Sequence, residues 1–592
     1  MKKYNIFWFV IDSVRTFRSG LDDRDRLDIM DEFGKDGVEF TNCYTSAPSS
    51  LLAAGAMFTG YPSAFIARHF NDWRFKDNNL STIKTLVDEY GYTSIPIFNT
   101  REERQRYQHL LPPFPAKLLP QGSLLSDYGW SNKELTRIFK HIFHNREFPE
   151  PFIFNFWYNC RRDPRISDHV KESLQTIKDA GLYDNSIIIM HSDHGYPHPA
   201  TKLDEGFFRG LGHDMVLTDD NIITPFIIKY SGAPKKLKIS NIMGHVDIIP
   251  TIFDLLGIEM NKEKDKNRFR GKSLIPIIEH KERDTRIRRS DTRLQMDVGK
   301  ITMLRSNPYK YIYFHDDKIE TLYDLEKDPN ELNNLLSGST HRFSEIVSQF
   351  RDLMKDYDTE LLEFHKKSLE SNFLKIVNKL YLREKEKVLI ISPAPTELLI
   401  LLINFFVKYI PNENITLISI GNTNIMDIKL ANKIQVTTIR DLKSIQLKNA
   451  DFSYSFYLTH NTRRVFLKDE IVKNIKKIES KKKFLMDYNF QIFEYFSMKS
   501  FLSYLKLYFN WETKGYYYKE EPLYFIKDLF FYIKHVTKKL INKKKVSNDI
   551  MTAHEIMEFR DHHLKKVKQG LDSMKEGEME YELERIKEWG EE

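Results

Sequence analysis

Through roughly the first 360 residues, short and almost wholly apolar runs alternate with amphipathic stretches. Ile6–Ile11, Thr93–Phe98, Phe152–Tyr158, Ser186–Met190 and Pro225–Tyr230 read as strands buried on both faces, because nearly every position in them is apolar. Between them, Ser81–Tyr90 and Asp168–Ala180 carry apolar residues at helical spacing, and Val246–Leu256 does so up to a helix-stopping Gly257. Strands separated by helices predict an α/β fold, a mostly parallel sheet sandwiched by helices. Lys300–Phe314 predicts a β-rich end, with side chains alternating over Lys310–Tyr313.

The pattern shifts after Tyr357. Glu360–Lys387 reads as a charged helical connector. Val388–Ile391, a helical run through Lys408, and Thr416–Ile420 then form a strand–helix–strand unit. The expected organisation is a catalytic domain over 1–358, a connector over 359–387, a second, smaller α/β domain over 388–490, and a charged helical tail region over 491–592. Val388 to Pro395 resembles the first strand and loop of nucleotide-sugar-binding Rossmann-like domains, although no Gly-x-Gly-x-x-Gly follows. The stretch Tyr516–Lys545 is aromatic and basic, a surface suited to anionic lipid or polysaccharide and to peripheral membrane contact; a solvated helical face over an aromatic core is the simpler reading.

Composition narrows the class. With 41% hydrophobic and 29% charged residues the chain carries enough apolar surface to fold, which excludes wholesale disorder. A net charge of +7 on 592 residues leaves no nucleic-acid footprint. Cys43 and Cys160 cannot make a disulfide framework, so a reducing, cytoplasmic setting is expected. The longest apolar run, Leu398–Val407, is half the roughly 20 residues a membrane span needs. Lys2 and Lys3 ahead of Ile6–Ile11 lack a cleavage site, so this segment is expected to be a first strand rather than a signal.

Three segments gather chemistry at expected strand ends. The first strand ends in Ile11-Asp12-Ser13, and the strand near 190 ends in His191-Ser192-Asp193-His194-Gly195. Between them lies Thr45-Ser46-Ala47-Pro48-Ser49-Ser50, opening a small-residue helix that runs to Thr59-Gly60. Carboxylates and an imidazole at the carboxyl edge of a sheet suit a divalent cation. A serine at a helix start beside it suits a nucleophile for an anionic substrate. Read singly, such segments are more often turns and helix caps than catalytic sites.

The order and wording of the segments add more. Asn5 to Arg15, Gly37 to Gly60, Gly181 to Ser186 leading into Ser192–Gly195, Pro225–Ile228, His245–Thr251, Gly271–Pro276, and Leu322–Pro329 with Glu331–Leu335 follow one another through the first 340 residues. This series resembles the sulfatase-like branch of the alkaline phosphatase superfamily. The resemblance implies an ester hydrolase or transferase with Asp12, Ser50, Asp193 and His194 as metal ligands and Ser50 as nucleophile. Ser49, one residue off register, is the alternative nucleophile. Where the opening motif of many sulfatases has a second acidic residue, this chain has Ser13. That weakens a calcium site of several carboxylates, so the set looks more like a single manganese, zinc or magnesium centre, with calcium the remaining candidate.

Departures from the family pattern shape the expected chemistry. Sulfatases convert their nucleophile to formylglycine under the direction of a Pro and an Arg; here those positions are Leu52 and Ala54. An unmodified Ser50 hydroxyl resembles instead the phosphoester hydrolases and transferases of the superfamily. Arg162 stands where a substrate-contacting histidine is common, and can hold an oxyanion bidentately. His213 lies near a further family histidine, while His245 is expected to be structural and Lys202 is a poor match to a family lysine. Gly271-Lys272-Ser273 lacks the upstream glycine of a phosphate loop, and His562-His563 reads as solvent-facing. The expected partner is a phosphate or sulfate ester, glycan- or lipid-linked, with no nucleic acid. A true sulfuric ester hydrolase and a catalytically inactive scaffold are the alternatives.

Overall fold

The computed structural model describes residues 2–494 apart from 16–26, 67–81, 99–110, 112–130, 146–147, 160–163, 197–216, 261–268, 282–285, 293–299, 316–317, 338–340, 393–396, 421–433, 440–451, 459–479 and 487–491. The aromatic, basic and charged tail beyond 494, with Tyr516–Lys545 and His562-His563, lies outside the described residues.

Seven strands make the first sheet: β1 (Asn5–Asp12), β2 (Val38–Tyr44), β3 (Thr93–Phe98), β4 (Phe152–Asn159), β5 (Ser186–His191), β6 (Ile223–Lys229) and β7 (Leu237–Gly244). Their order is β3-β4-β1-β5-β6-β2-β7. Every neighbouring pair is parallel except those made by β6, which runs against both β5 and β2. Its reversal follows from how the chain enters it. The Gly195 N–H donates to the Asn221 carbonyl at 2.8 Å, so the chain joins β6 beside the end where β5 stopped and must run back along it.

The sheet is apolar throughout because both faces are covered. Alternate side chains of a strand point to opposite faces. Ile6, Trp8 and Val10 pack with the helices Ser50–Thr59 and Ile248–Leu256. Phe7, Phe9 and Ile11 pack with Asn132–Asn145 and Ile166–Asp179. Phe9 stacks on Phe156 at 4.3 Å between ring centroids with no exposure, a site where truncation to alanine costs about 3–5 kcal/mol.

A second sheet of β8 (Arg288–Asp291), β9 (Ile301–Ser306), β10 (Tyr309–Phe314) and β11 (Ile319–Asp324) is antiparallel, in the order β11-β10-β9-β8. β8 is tied to the loop ahead of Ser50: the Asp291 N–H donates to the Ser46 carbonyl at 3.0 Å, and the Ser290 hydroxyl donates to the Thr45 carbonyl. The buried Lys310 Nζ lies 2.6 Å from both Asp219 Oδ1 and Glu331 Oε1, joining β10 to the turn that enters β6.

One helix of 37 residues, Ser344–Leu380, leaves this sheet. It begins earlier than the charge pattern suggested, because Val347, Phe350 and Met354 bury against Leu304, Tyr311 and Leu322. Further along, Tyr357 and Leu361 join the first core, and Leu369, Phe373 and Ile376 join a third. That third core lies against β12 (Val388–Ser392), β13 (Ile415–Ile420), β14 (Gln435–Ile439), β15 (Phe452–Leu458), β16 (Ser480–Met486) and β17 (Ile492–Glu494). Their order, β14-β13-β12-β15-β16-β17, is doubly wound, with only β17 antiparallel.

Candidate active site

β1 delivers Asp12 to the carboxyl edge of the first sheet, and the neighbouring β5 delivers His191 and then Asp193 and His194. Between these strand ends the chain turns sharply. Ser13 adopts a left-handed conformation (φ 65°), which costs a non-glycine residue about 1 kcal/mol. The turn aims the Ser13 N–H at Asp193 Oδ1, at 3.0 Å, while the Ser13 hydroxyl donates to Asp12 Oδ1 at 2.5 Å. Ser13 thus orients both carboxylates. Ser192 ties the two strand ends again, accepting the Val14 N–H at 2.8 Å and donating to the His194 carbonyl at 2.7 Å.

Gly195 allows this corner to form. A Cβ there would lie 2.3 Å from the Asp220 carbonyl oxygen, so no larger residue fits between the site and the chain entering β6.

Ser50 arrives from the opposite side, as the first residue of the helix Ser50–Thr59. Its Oγ is 3.1 Å from His194 Nε2. His194 Nδ1 lies 2.8 Å from the Gly195 carbonyl and donates to it, so Nε2 turns its lone pair towards Ser50. Ser49 is buried with its hydroxyl unpartnered, whereas Ser50 is partly exposed. The geometry distinguishes the two serines that spacing left adjacent.

The electrostatics are those of an incomplete charge set. Asp12, Asp193 and His194 each offer a ligand atom, all within 4.8 Å of one another. Asp193 is fully buried and its pKa is pushed up to about 6, first by desolvation and then by the Asp12 carboxylate; His194, Ser50 and the Ser13 N–H act the other way. Asp193 Oδ2 has no hydrogen bond of acceptable geometry and lies 3.3 Å from His194 Nε2. An unpartnered buried carboxylate oxygen, a second carboxylate, an imidazole lone pair and a hydroxyl converging on one point fit a divalent cation.

Behind the site lie two buried histidines: His245, expected from the sequence to be structural, and His191, to which the sequence reading gives no role. His191 accepts from Trp8 Nε1 at 2.7 Å and donates through Nδ1 to the Ser192 carbonyl at 2.8 Å. Burial lowers the His191 pKa to about 4. The His245 ring lies 5.1 Å from that of His191, with its Nε2 3.2 Å from the Thr224 hydroxyl, and is held well below the ordinary histidine range by burial and by His191 and His194. His245 lies outside the Asp12–Asp193–His194 group. The buried apolar strand preceding His191 was the available signal that this histidine faces inward. Arg162, His213 and Lys202 lie outside the described residues.

Residues 210–360 match the family described as N-sulphoglucosamine sulphohydrolase, C-terminal. The chain is similar to a choline-sulfatase of Rhizobium meliloti, 28% identical over 189 residues (32% of this chain and 34% of the relative). A Delta 4,5-hexuronate-2-O-sulfatase of Bacteroides thetaiotaomicron is 25% identical over 201 residues (33% of this chain and 39% of the relative). An ulvan-active sulfatase of Formosa agariphila is 21% identical over 409 residues (58% of this chain and 77% of the relative). The chain thus spans little more than a third of the first two relatives. A solved 2-O GAG sulfatase superposes with a TM-score of 0.47 at 18% identity, covering 62% of this chain and 94% of the other.

Proposed function

We propose that this protein is a hydrolase or transferase of phosphate or sulfate esters whose nucleophile is the unmodified Ser50 hydroxyl. The observation that carries the reading is the 3.1 Å approach of Ser50 Oγ to His194 Nε2 beside two convergent carboxylates. Asp12, Asp193, His194 and Ser50 would hold one divalent cation, which when bound supplies Lewis-acid polarisation of the ester and a more acidic hydroxyl.

The chain's own residues do the rest. The start of the helix Ser50–Thr59 fixes Ser50 at the mouth of the site, and His194 orients its hydroxyl. The bond from Oγ to phosphorus or sulfur forms as the bond to the leaving alcohol breaks, giving a seryl ester. The hydroxyl proton leaves to solvent through the partly exposed mouth. Water then completes hydrolysis, whereas a second alcohol completes transfer. Arg162 is proposed to hold a non-bridging oxygen pair and His213 to contact the substrate.

Phosphate esters are the first choice, because Leu52 and Ala54 replace the Pro and Arg that direct formylglycine formation. The names of the relatives favour a second reading, sulfate esters on acidic glycans. Turnover of matched chromogenic phosphate monoester, phosphate diester and sulfate ester substrates with added metal separates the two. Turnover of none, with no metal retained, would reject both and leave an inactive scaffold.

A further inference from the structure

A cavity of about 220 Å³ lies on the side of the Ser46 loop where the second sheet meets the first. Arg270, Arg286, Arg288, Arg289 and Lys272 line it together with Tyr357, and among the described residues no carboxylate does.

Three carboxylates act on this wall: Asp247 and Asp291, which are both hydrogen-bonded to its arginines, and Asp358, whose charge reaches Arg289. Asp247 accepts the Gly244 N–H at 2.9 Å, the Lys272 N–H at 2.9 Å and an Arg288 guanidinium N–H at 2.5 Å, with Arg286 3.4 Å away. Asp291 accepts two N–H groups of Arg289, at 2.7 and 3.1 Å, and the Thr302 hydroxyl at 2.5 Å. What remains points to a missing anion. Arg288 Nε and one terminal nitrogen of Arg289 are buried without a hydrogen-bond partner. The Arg289 side chain is only 7% exposed, so water cannot compensate that nitrogen freely. The Tyr357 ring, 3.6 Å from the guanidinium carbon, holds it in place.

The backbone is shaped around the same group. A Cβ on Gly244 would come within 2.8 Å of Arg288 Cδ, so only glycine leaves room for this arm. Gly244 ends β7, and Ser46 lies in the loop that delivers Ser50, so the cavity adjoins the Ser50 segment of the candidate centre without sharing the centre's ligands.

We infer that this cavity is a second anion site, distinct from the Asp12–Ser50 centre, that takes an oxyanion through the free guanidinium nitrogens of Arg288 and Arg289. A sulfate, phosphate or carboxylate group matches planar guanidinium donors in charge and geometry. The source is either a free inorganic anion or a second anionic substituent on the substrate.

The test is calorimetric titration of the chelator-treated full chain, in which the Asp12 and Asp193 carboxylates repel anions. The probes are inorganic sulfate and a disulfated disaccharide. Saturable binding is expected, weakened at least about tenfold by Arg289→Met and unchanged by Ser50→Ala. Saturation by inorganic sulfate assigns the site to a free anion. Binding of the disaccharide alone, again weakened by Arg289→Met, assigns it to a substrate substituent. Should Arg289→Met fail to fold, the exposed Lys272→Ser reports in its place, with affinity reduced about threefold. No saturable binding of either probe, or affinity indifferent to Arg289 and Lys272, overturns the inference. Because binding is read without turnover, failure here leaves the proposed activity standing.

Discussion

Ser50 Oγ lies 3.1 Å from His194 Nε2, across the gap between a helix start and the carboxyl end of a strand 144 positions later in the chain. The contact joins the two halves of the candidate centre. It sets the partly exposed Ser50 apart from its buried neighbour Ser49.

Replacing the two serines should therefore have opposite consequences. Ser50→Ala is expected to lower kcat at least about 10³-fold, with secondary structure and melting temperature unchanged. Ser49→Ala removes a hydroxyl that has no partner and should leave kcat within about threefold. Steady-state kinetics on both variants check this, and loss of activity in Ser49→Ala alone would move the nucleophile.

The raised Asp193 pKa makes a prediction about the metal-free protein. Folding favours the protonated carboxyl, so its contribution is present below the ordinary pKa of 3.8 and is lost as pH rises towards about 6. Chelator-treated wild type should lose melting temperature across that window. Asp193→Asn, which carries no charge to desolvate, should lose less and melt higher than wild type at pH 7. Added divalent metal should restore the wild type and leave Asp193→Asn unmoved. Thermal melts at several pH values, with and without metal, provide the check.

Gly195→Ala probes the same corner through the backbone. With the Asp220 carbonyl 2.3 Å from the new Cβ, the turn carrying Asp193 and His194 must shift. Metal affinity should fall about 10- to 100-fold, as when the groups positioning a ligand are lost, while far-ultraviolet circular dichroism stays unchanged. Titration with manganese, followed by electron paramagnetic resonance, measures it.

Much of this was legible beforehand because it is local. Asp12 and Asp193-His194-Gly195 each follow an uninterrupted apolar run, and a small-residue helix after Ser50 is visible in the letters alone. The reversed direction of β6 was not legible, because it depends on Gly195 meeting Asn221 across a long connection. The roles of Asp247, Arg288 and Arg289 were hidden for the same reason: each is ordinary on its own segment and acquires meaning only when β7 and β8 meet. Ser13 looked like a missing carboxylate in the sequence, whereas in space it aligns the two carboxylates that remain.

Lys310→Met tests the join between the two sheets. Removing the ammonium leaves Asp219 and Glu331 facing each other in a dry site, a loss of about 3–5 kcal/mol. Chemical denaturation should show the N-terminal transition at lower denaturant, and an unchanged midpoint would show that the join does not support the fold.

On the proposed mechanism an unmodified Ser50 becomes the covalent carrier. The most direct measurement is peptide mass analysis spanning Ser50, before and immediately after mixing metal-loaded enzyme with a turned-over ester. On that mechanism, serine at rest and a phosphoryl or sulfuryl adduct on Ser50 after mixing are expected. Formylglycine at position 50, or turnover with the adduct absent there and activity retained in Ser50→Ala, would contradict it.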